Sequence, residues 1–275
     1  MLRHKRIQLI VNADDYAYYP GVSRGIVAAA AAGKVTATGI IANSPCLSEH
    51  LAWLDKVYEL DVGVHLNLTS GRPLTAGLAA YFTATQGEFP NAYHISAAVL
   101  SRKISIEQIR QEWSAQIEAC GGRKLVFLNS HEHIHMLPVL FKLSLELAKE
   151  YQIPYLRLSQ ADWSWPLSGA GLIRNGLLQV MASINQQQLK RPMPIFLGLA
   201  ASGKLNLDYL RRVFSRLKAG VTYELMCHPG YLVAGDITNP HLLAYHAWEQ
   251  ELALLQSPKL EELYEQFGIS LGRYP

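Results

Sequence analysis

Adjacent carboxylates, Asp14-Asp15, follow the apolar run at residues 7–11, and His65 interrupts a second apolar run at 62–68. Behind a third run, at 125–128, comes Ser130-His131-Glu132-His133-Ile134-His135. Arg157 lies at the end of the run at 155–158, and His228 follows Tyr223-Glu224-Leu225-Met226-Cys227. One carboxylate and two imidazoles, with an open position for water, form an ordinary catalytic metal set. Zinc fits such a set, and so do other divalent ions. The ion lowers the pKa of bound water towards roughly 7 and polarises a carbonyl. A spare carboxylate and a spare histidine then supply base and acid. This chain offers Asp14 or Asp15 for the first role and His228 for the second. Arg157 could orient a carboxylate through a bidentate pair.

Each of these residues also has a plainer use. An acidic pair can solvate a loop or cap the helix that begins near Gly21. A single histidine in a strand is usually a core ring bonded to backbone, and His228-Pro229-Gly230 is strong turn chemistry. Three imidazoles in five residues, directly after a buried strand, are harder to dismiss. In an extended segment His131, His133 and His135 alternate onto one face. Two carboxylates as close as Asp14 and Asp15 need a cation or a proton to coexist.

The elements that must position them alternate along the chain. Apolar strand candidates lie at 7–11, 36–41, 62–66, 125–128, 155–158, 195–199 and 222–226, with a last short one at 269–271. Helical patterns separate them. Gly33 stops the first helix, and Gly121-Gly122 stops the one begun by the capping box Ser105/Gln108. Asn206 caps a helix at 207–218, Asn239-Pro240 and Ser257-Pro258 each read as N-cap plus first-turn proline, and 177–189 is a further helix. Seven or eight strand–helix units in one parallel order, wound by right-handed crossovers, predict a closed or nearly closed α/β barrel. In that architecture all the residues named above lie at the carboxyl ends of strands, where active sites are built. The segments 70–104 and 159–176 break the rhythm. They read as irregular inserted loops at the mouth, where Trp163 and Trp165 offer either a stacking surface for a ligand ring or ordinary core or interface material.

The chain has 275 residues, 49% of them hydrophobic and 17% charged, with a net charge of +3. That balance argues against disorder, and the length is close to a single barrel of roughly 250 residues. No Lys/Arg block marks a nucleic-acid footprint, and neither G-x-G-x-x-G nor a Walker A motif is present. Cys46, Cys120 and Cys227 lie far apart, which fits a reducing compartment. The basic start at 1–6 meets Asp14-Asp15 too soon for a secretion signal, and no stretch has the apolar length of a membrane span. The expectation is a soluble cytoplasmic protein of one domain, residues 1–275.

Four motifs occur in one order: Asn12-Ala13-Asp14-Asp15-Tyr16, Val64-His65-Leu66-Asn67-Leu68-Thr69, Ser130-His131-Glu132-His133-Ile134-His135 and Met226-Cys227-His228-Pro229-Gly230-Tyr231. Together with Gly71-Arg72-Pro73-Leu74-Thr75 they resemble the YdjC-like carbohydrate deacetylases, the chitooligosaccharide and hopanoid-associated group. The resemblance implies a distorted or incomplete TIM-like (β/α) barrel related to polysaccharide deacetylases. It implies metal-dependent removal of the acetyl group from an N-acetylated sugar. Carried over by position, Asp15, His65 and His131 hold one divalent ion, zinc or magnesium. Asp14 is the base, His228 the acid, and Arg157 positions the base. A homodimer is implied, with no nucleic-acid partner and no membrane span.

Two positions depart from the family pattern. Asn129 stands where an aspartate is frequent, and would accept a ligand's N–H without adding charge. Ala17 stands where glycine is common, so a loop that needs positive φ there would have to take another path. Two other readings stay open on the residues alone. One is a metal-dependent phosphoesterase or amidohydrolase on a similar barrel. The other is a non-catalytic sugar-binding protein on the same fold.

Overall fold

The computed structural model describes residues 6–83, 86–164, 166 and 169–275; the basic start at 1–5 and Trp165 lie outside them. Its centre is a sheet of parallel strands. In chain order these are β1 (Ile7–Tyr16), β2 (Ala37–Ile40), β3 (Asp61–Leu66), β4 (Phe127–Ser130), β5 (Tyr155–Leu156), β6 (Ile195–Leu197), β7 (Thr222–Cys227) and β8 (Ile269–Leu271). The hydrogen-bonded order is β5-β4-β3-β2-β1-β7-β6, and β8 pairs with the start of β1. Among the described residues no pairing joins β5 to β6. The barrel is therefore incomplete, open on the side where the strands are two and three residues long.

Helices cover the outside: α1 (Pro20–Ala31), α2 (Leu47–Leu54), α3 (Ala76–Tyr81), α4 (Ala92–Leu100), α5 (Ile106–Ala119), α6 (Pro138–Glu150), α7 (Gly169–Gln186), α8 (Leu207–Phe214), α9 (Pro240–Tyr245), α10 (Trp248–Leu255) and α11 (Pro258–Phe267). The expected caps form. Ser105 and Gln108 close a full capping box on α5. The side chains of Asn206, Asn239 and Ser257 accept from backbone N–H groups at the starts of α8, α9 and α11. Each satisfies a donor that the first helical turn leaves without a partner.

Four expectations about elements need correction. β1 runs on to Tyr16, so Asp14 and Asp15 lie inside the strand and not behind it. The segment 70–104 is not irregular throughout, because α3 and α4 lie within it. The segment at 159–176 ends earlier than expected, because α7 begins at Gly169. Finally, His131–Met136 is a 3₁₀ turn broken by left-handed backbone at Glu132 (φ 51°) and His133 (φ 56°). Its three histidines therefore cannot share one face.

The core lies between the strands and the helical shell. Leu9, Val11, Val64, Leu128 and Leu225 on the strands are fully buried, as are Ile26, Trp113, Leu140, Phe141 and Leu210 on the helices. The barrel interior is different. It holds Asn12, Asp14, His65, Asn129, Arg157 and Glu224, all nearly inaccessible. Buried polar groups on this scale are tolerated only when they bond to one another.

Candidate active site

β1 supplies the first two groups. Its register to β2 slips between Ala13 and Tyr16, where three steps on β1 face two on β2. This is a bulge, and Asp15 sits in it at φ 68°. The bulge breaks the alternation that would send adjacent side chains to opposite faces. Asp14 and Asp15 thus both reach the carboxyl end of the barrel with different partners. Ala17, two residues on, also has positive φ, at 70°. The loop keeps the path that favours glycine, contrary to the expected detour. Its backbone is anchored instead, with Ala17 N donating to Ser23 Oγ at 2.9 Å.

Asp15 is the hub of the candidate metal centre. His131 Nδ1 lies 2.9 Å from Asp15 Oδ1, and His65 Nε2 lies 3.3 Å from the same oxygen. Ligand atoms of Asp15, His65 and His131 all fall within 4.8 Å of one another, with the side chains buried or nearly so. A carboxylate oxygen and two ring nitrogens suit a divalent ion that keeps a position open for water. Burial pushes the Asp15 carboxyl up, but His131 and His65 outweigh it and hold the group well below the ordinary range. Burial likewise pulls His131 down, and Asp15 brings it back above its ordinary value.

Asp14 faces the other way, into a buried ion cluster. Arg157, directly after β5, donates from Nη1 to Asp14 Oδ2 at 2.5 Å and from Nη2 to Oδ1 at 2.8 Å. Arg157 Nε donates to Glu224 Oε1 on β7 at 2.7 Å. Asn12 Nδ2 donates to the same Glu224 oxygen at 3.0 Å. Burial raises the Asp14 carboxyl, while Arg157 first and His65 next hold it down at about 2. Asp14 is thus ionised throughout the neutral range. Asp14 and Glu224 share one guanidinium, while the third buried carboxyl, Asp15, meets only the two imidazoles. That excess of acidic groups fits a cation bound at the neighbouring triad.

His228 follows β7 and lies close enough to Asp14 for their charges to interact. Its backbone N–H donates to Glu251 Oε2 at 2.6 Å, and Leu205 N donates to the other Glu251 oxygen at 3.0 Å. One buried carboxyl on α10 thereby fixes the turn that carries the histidine. Gly25 of α1 makes the same turn possible from the other side, since a Cβ there would lie 2.4 Å from Gly230 Cα. The His228 ring packs against His246, centroids 4.8 Å apart, and among the described residues the His228 Nδ1 is buried without a hydrogen-bond partner.

The structure therefore brings Asp14, Asp15, His65, His131, Arg157 and His228 to one end of the barrel. His133 and His135 go elsewhere. His133 Nδ1 contacts Ser159 Oγ at 3.0 Å. His135 donates from Nε2 to Arg157 O at 2.9 Å and pairs through Nδ1 with Ser130 Oγ at 2.6 Å. His135 holds the Arg157 backbone in place. Glu224, Asn12 and Glu251 received no role from the sequence. The available signal was Glu224 itself, an acid between Tyr223 and Leu225 in an otherwise apolar strand. Trp163 is 56% exposed at the surface.

Comparison with known proteins extends the pattern beyond the site. The profile of the YdjC-like protein family matches residues 8–266. A carbohydrate deacetylase of Geobacillus stearothermophilus is 32% identical over 96% of this chain and 96% of its own length. A chitooligosaccharide deacetylase of Yersinia enterocolitica is 30% identical over 97% of each chain. In fold, the chain is similar to a solved structure from Enterococcus faecalis V583, a candidate cellobiose-phosphate cleavage protein. The TM-score is 0.74 at 23% identity, over 98% of each chain.

Proposed function

The chain belongs to the YdjC-like family, and on that premise we propose that it is a carbohydrate N-deacetylase: a hydrolase that removes the acetyl group from an N-acetylated sugar with the help of one divalent ion. The observation that carries this reading is the buried triad Asp15, His65 and His131 standing beside an ionised Asp14 that Arg157 grips with two hydrogen bonds. Full-length similarity to proteins named carbohydrate and chitooligosaccharide deacetylase supports the substrate class.

Asp15, His65 and His131 would hold the ion, zinc or magnesium. Bound there, it supplies Lewis acidity to the acetamide carbonyl and lowers the pKa of water. Asp14 accepts the proton of the attacking water. Its two bonds to Arg157 fix the carboxylate and keep it ionised, so the accepting form is always present. His228 delivers a proton to the departing amine, which is a poor leaving group without one. Glu251 and the packing of Gly25 against Gly230 keep that histidine in position. The products are acetate and the free amino sugar. A cytoplasmic site of action and a homodimer belong to the same reading, the first supported by three free cysteines. Light scattering tests the second, and a single species of 30.6 kDa removes it.

The deciding experiment measures acetate release from soluble chitooligosaccharides and from a lipid-linked N-acetylglucosamine, with zinc or magnesium added and again after chelation. Release that needs the ion supports the reading. No acetate from either substrate class, in protein shown to carry an ion, overturns it.

A further inference from the structure

His65 and Asp14 are joined by one buried side chain. Asn129 on β4 stands directly opposite His65 on β3 in the parallel register. Its Oδ1 lies 2.8 Å from His65 Nδ1, and its Nδ2 donates to Asp14 Oδ1 at 2.9 Å. Asn129 is fully buried. Gly39 on the neighbouring β2 leaves the space for this pair. A Cβ there would come within 3.1 Å of both Asn129 Oδ1 and His65 Cβ.

Arg157 donates to both oxygens of Asp14, and that fixes the direction of the whole link. An ionised carboxylate only accepts hydrogen bonds. The Asn129 amide must therefore turn its NH₂ to Asp14, because the flipped amide would set two acceptors 2.9 Å apart. Its carbonyl then has to face His65, and that carbonyl can pair only with a protonated Nδ1. The other nitrogen of His65, Nε2, is the one that faces Asp15, 3.3 Å away. The tautomer of a metal ligand is set by the group that its other nitrogen meets. Here that group is set in turn by the catalytic carboxylate.

We propose that Asn129 is the positioning residue that couples the metal ligand His65 to the base Asp14, its carbonyl selecting the ligating tautomer and its NH₂ orienting the carboxylate. This role rests on the reading above of His65 as a ligand and Asp14 as the base. In this chain the amide lets each end do a different job. An aspartate at this position could still accept from His65. Its second oxygen would then lie against Asp14, and the two would need a shared proton or a displacement.

Three measurements test the role. Nitrogen-15 spectra of the histidine rings in metal-free wild-type protein should show His65 protonated at Nδ1; a His65 whose Nδ1 carries no proton overturns the coupling without any variant. Titration with cobalt(II) should show Asn129→Leu, which removes both bonds, binding about 10- to 100-fold more weakly than wild type. Asn129→Asp, which keeps the acceptor, should bind within about threefold of wild type. In turnover, Asn129→Asp should lose at least about tenfold in kcat with KM nearly unchanged, since only the base is disturbed. Wild-type affinity in folded Asn129→Leu, or wild-type kcat in Asn129→Asp, overturns it. If Asn129→Leu does not fold, the wild-type spectra and Asn129→Asp decide alone. Wild-type protein that binds no divalent ion overturns the metal reading instead, and the His65 spectra then decide the coupling.

Discussion

Asp14 and Asp15 are the same residue type at adjacent positions, yet their surroundings suit them to the different roles proposed above, base and ligand. Arg157 and Asn129 saturate Asp14, while two imidazoles meet Asp15. Asp14→Asn should therefore leave metal content unchanged and lower kcat by about 10²- to 10⁴-fold, whereas His131→Ala should lose the ion; elemental analysis beside steady-state kinetics separates the two. A strained neighbour gives a second test. Ala17 is fully buried at φ 70°. Left-handed backbone costs a non-glycine residue about 1–2 kcal/mol. Ala17→Gly recovers that, but it loses a buried methyl worth about 0.8 kcal/mol and costs about 0.5–1 kcal/mol in chain entropy. The terms cancel, so Ala17→Gly should be neutral within about 0.5 kcal/mol. Ala29→Gly, at a buried helical position on α1, has no strain to recover and should lose about 2 kcal/mol. Equal losses in urea denaturation would show that position 17 is unstrained. At this scale the sequence was informative wherever chemistry and strand position coincided, as at Asp14, Asp15, His65, His131 and His228. It did not reveal the fates of His133 and His135, because left-handed backbone at Glu132 and His133 replaces the extended segment that alternation assumes. Glu224 was also missed, since a partner for a buried acid can be named only once Arg157 has been brought beside it.

Elements hold the mouth segments in place through a few buried polar groups. Glu112 on α5 is fully buried. It accepts Leu74 N at 3.0 Å, Thr75 N at 2.9 Å, Thr75 Oγ1 at 2.8 Å and Gln116 Nε2 at 2.9 Å. One carboxyl thus ties the segment before α3 to the helix that follows α4. Glu112→Ala removes the acceptor and leaves the donors behind, and each buried donor without a partner costs about 1–3 kcal/mol. The variant should lose roughly 3 kcal/mol in chemical denaturation. Limited proteolysis should then cut within residues 70–104 before the barrel; a cleavage pattern like that of the wild type would show that Glu112 does not anchor the segment. On the other rim Asp162 plays a similar part. Its carboxylate accepts from Tyr209 on α8 and from Ala200 N at 3.3 Å, tying the segment before α7 to the neighbouring strand end. Caps were legible at this scale because an Asn or Ser before a proline or a helical stripe acts locally, and every predicted cap on α5, α8, α9 and α11 forms. The start of α7 was not legible: it begins at Gly169, eight residues before the helical stripe at 177.

For the whole molecule, alternating strands and helices were enough to predict parallel order and a barrel-like closure. They could not predict the opening between β5 and β6, because strands of two and three residues pair too briefly to leave a sequence signal. The interior of this open barrel is polar, and the histidines buried in and around it couple the stability of the entire chain to pH. Burial holds His135 and His246 neutral, each down at about 3, and holds His133 well below its ordinary value. His50 is lowered as well, again chiefly by burial. A histidine whose folded pKa is depressed stays neutral in the native state while the unfolded chain takes up a proton below about 6.5. Unfolding therefore binds protons between about pH 6.5 and 3, and stability must fall as the pH drops through that window. Glu251 acts in the opposite sense, because burial raises its carboxyl and the native state holds its proton longer. His131, raised by Asp15, gives its full contribution below pH 6.5 and adds no slope there. The histidines outnumber the two raised carboxyls, Glu251 and Asp61, so acidification should destabilise the protein well before the low pH at which Asp14 titrates. His135 and His246 alone contribute about 2–3 kcal/mol of loss between pH 7 and 5.5. Urea midpoints of the chelated protein at pH 7, 6 and 5.5 measure this directly. His246→Gln, which cannot take up the proton, should shrink the loss by about 1 kcal/mol. Midpoints that stay level across the window would mean that these rings are protonated in the folded barrel, and the neutral hydrogen-bond pattern drawn around His135 and Arg157 would then have to be redrawn.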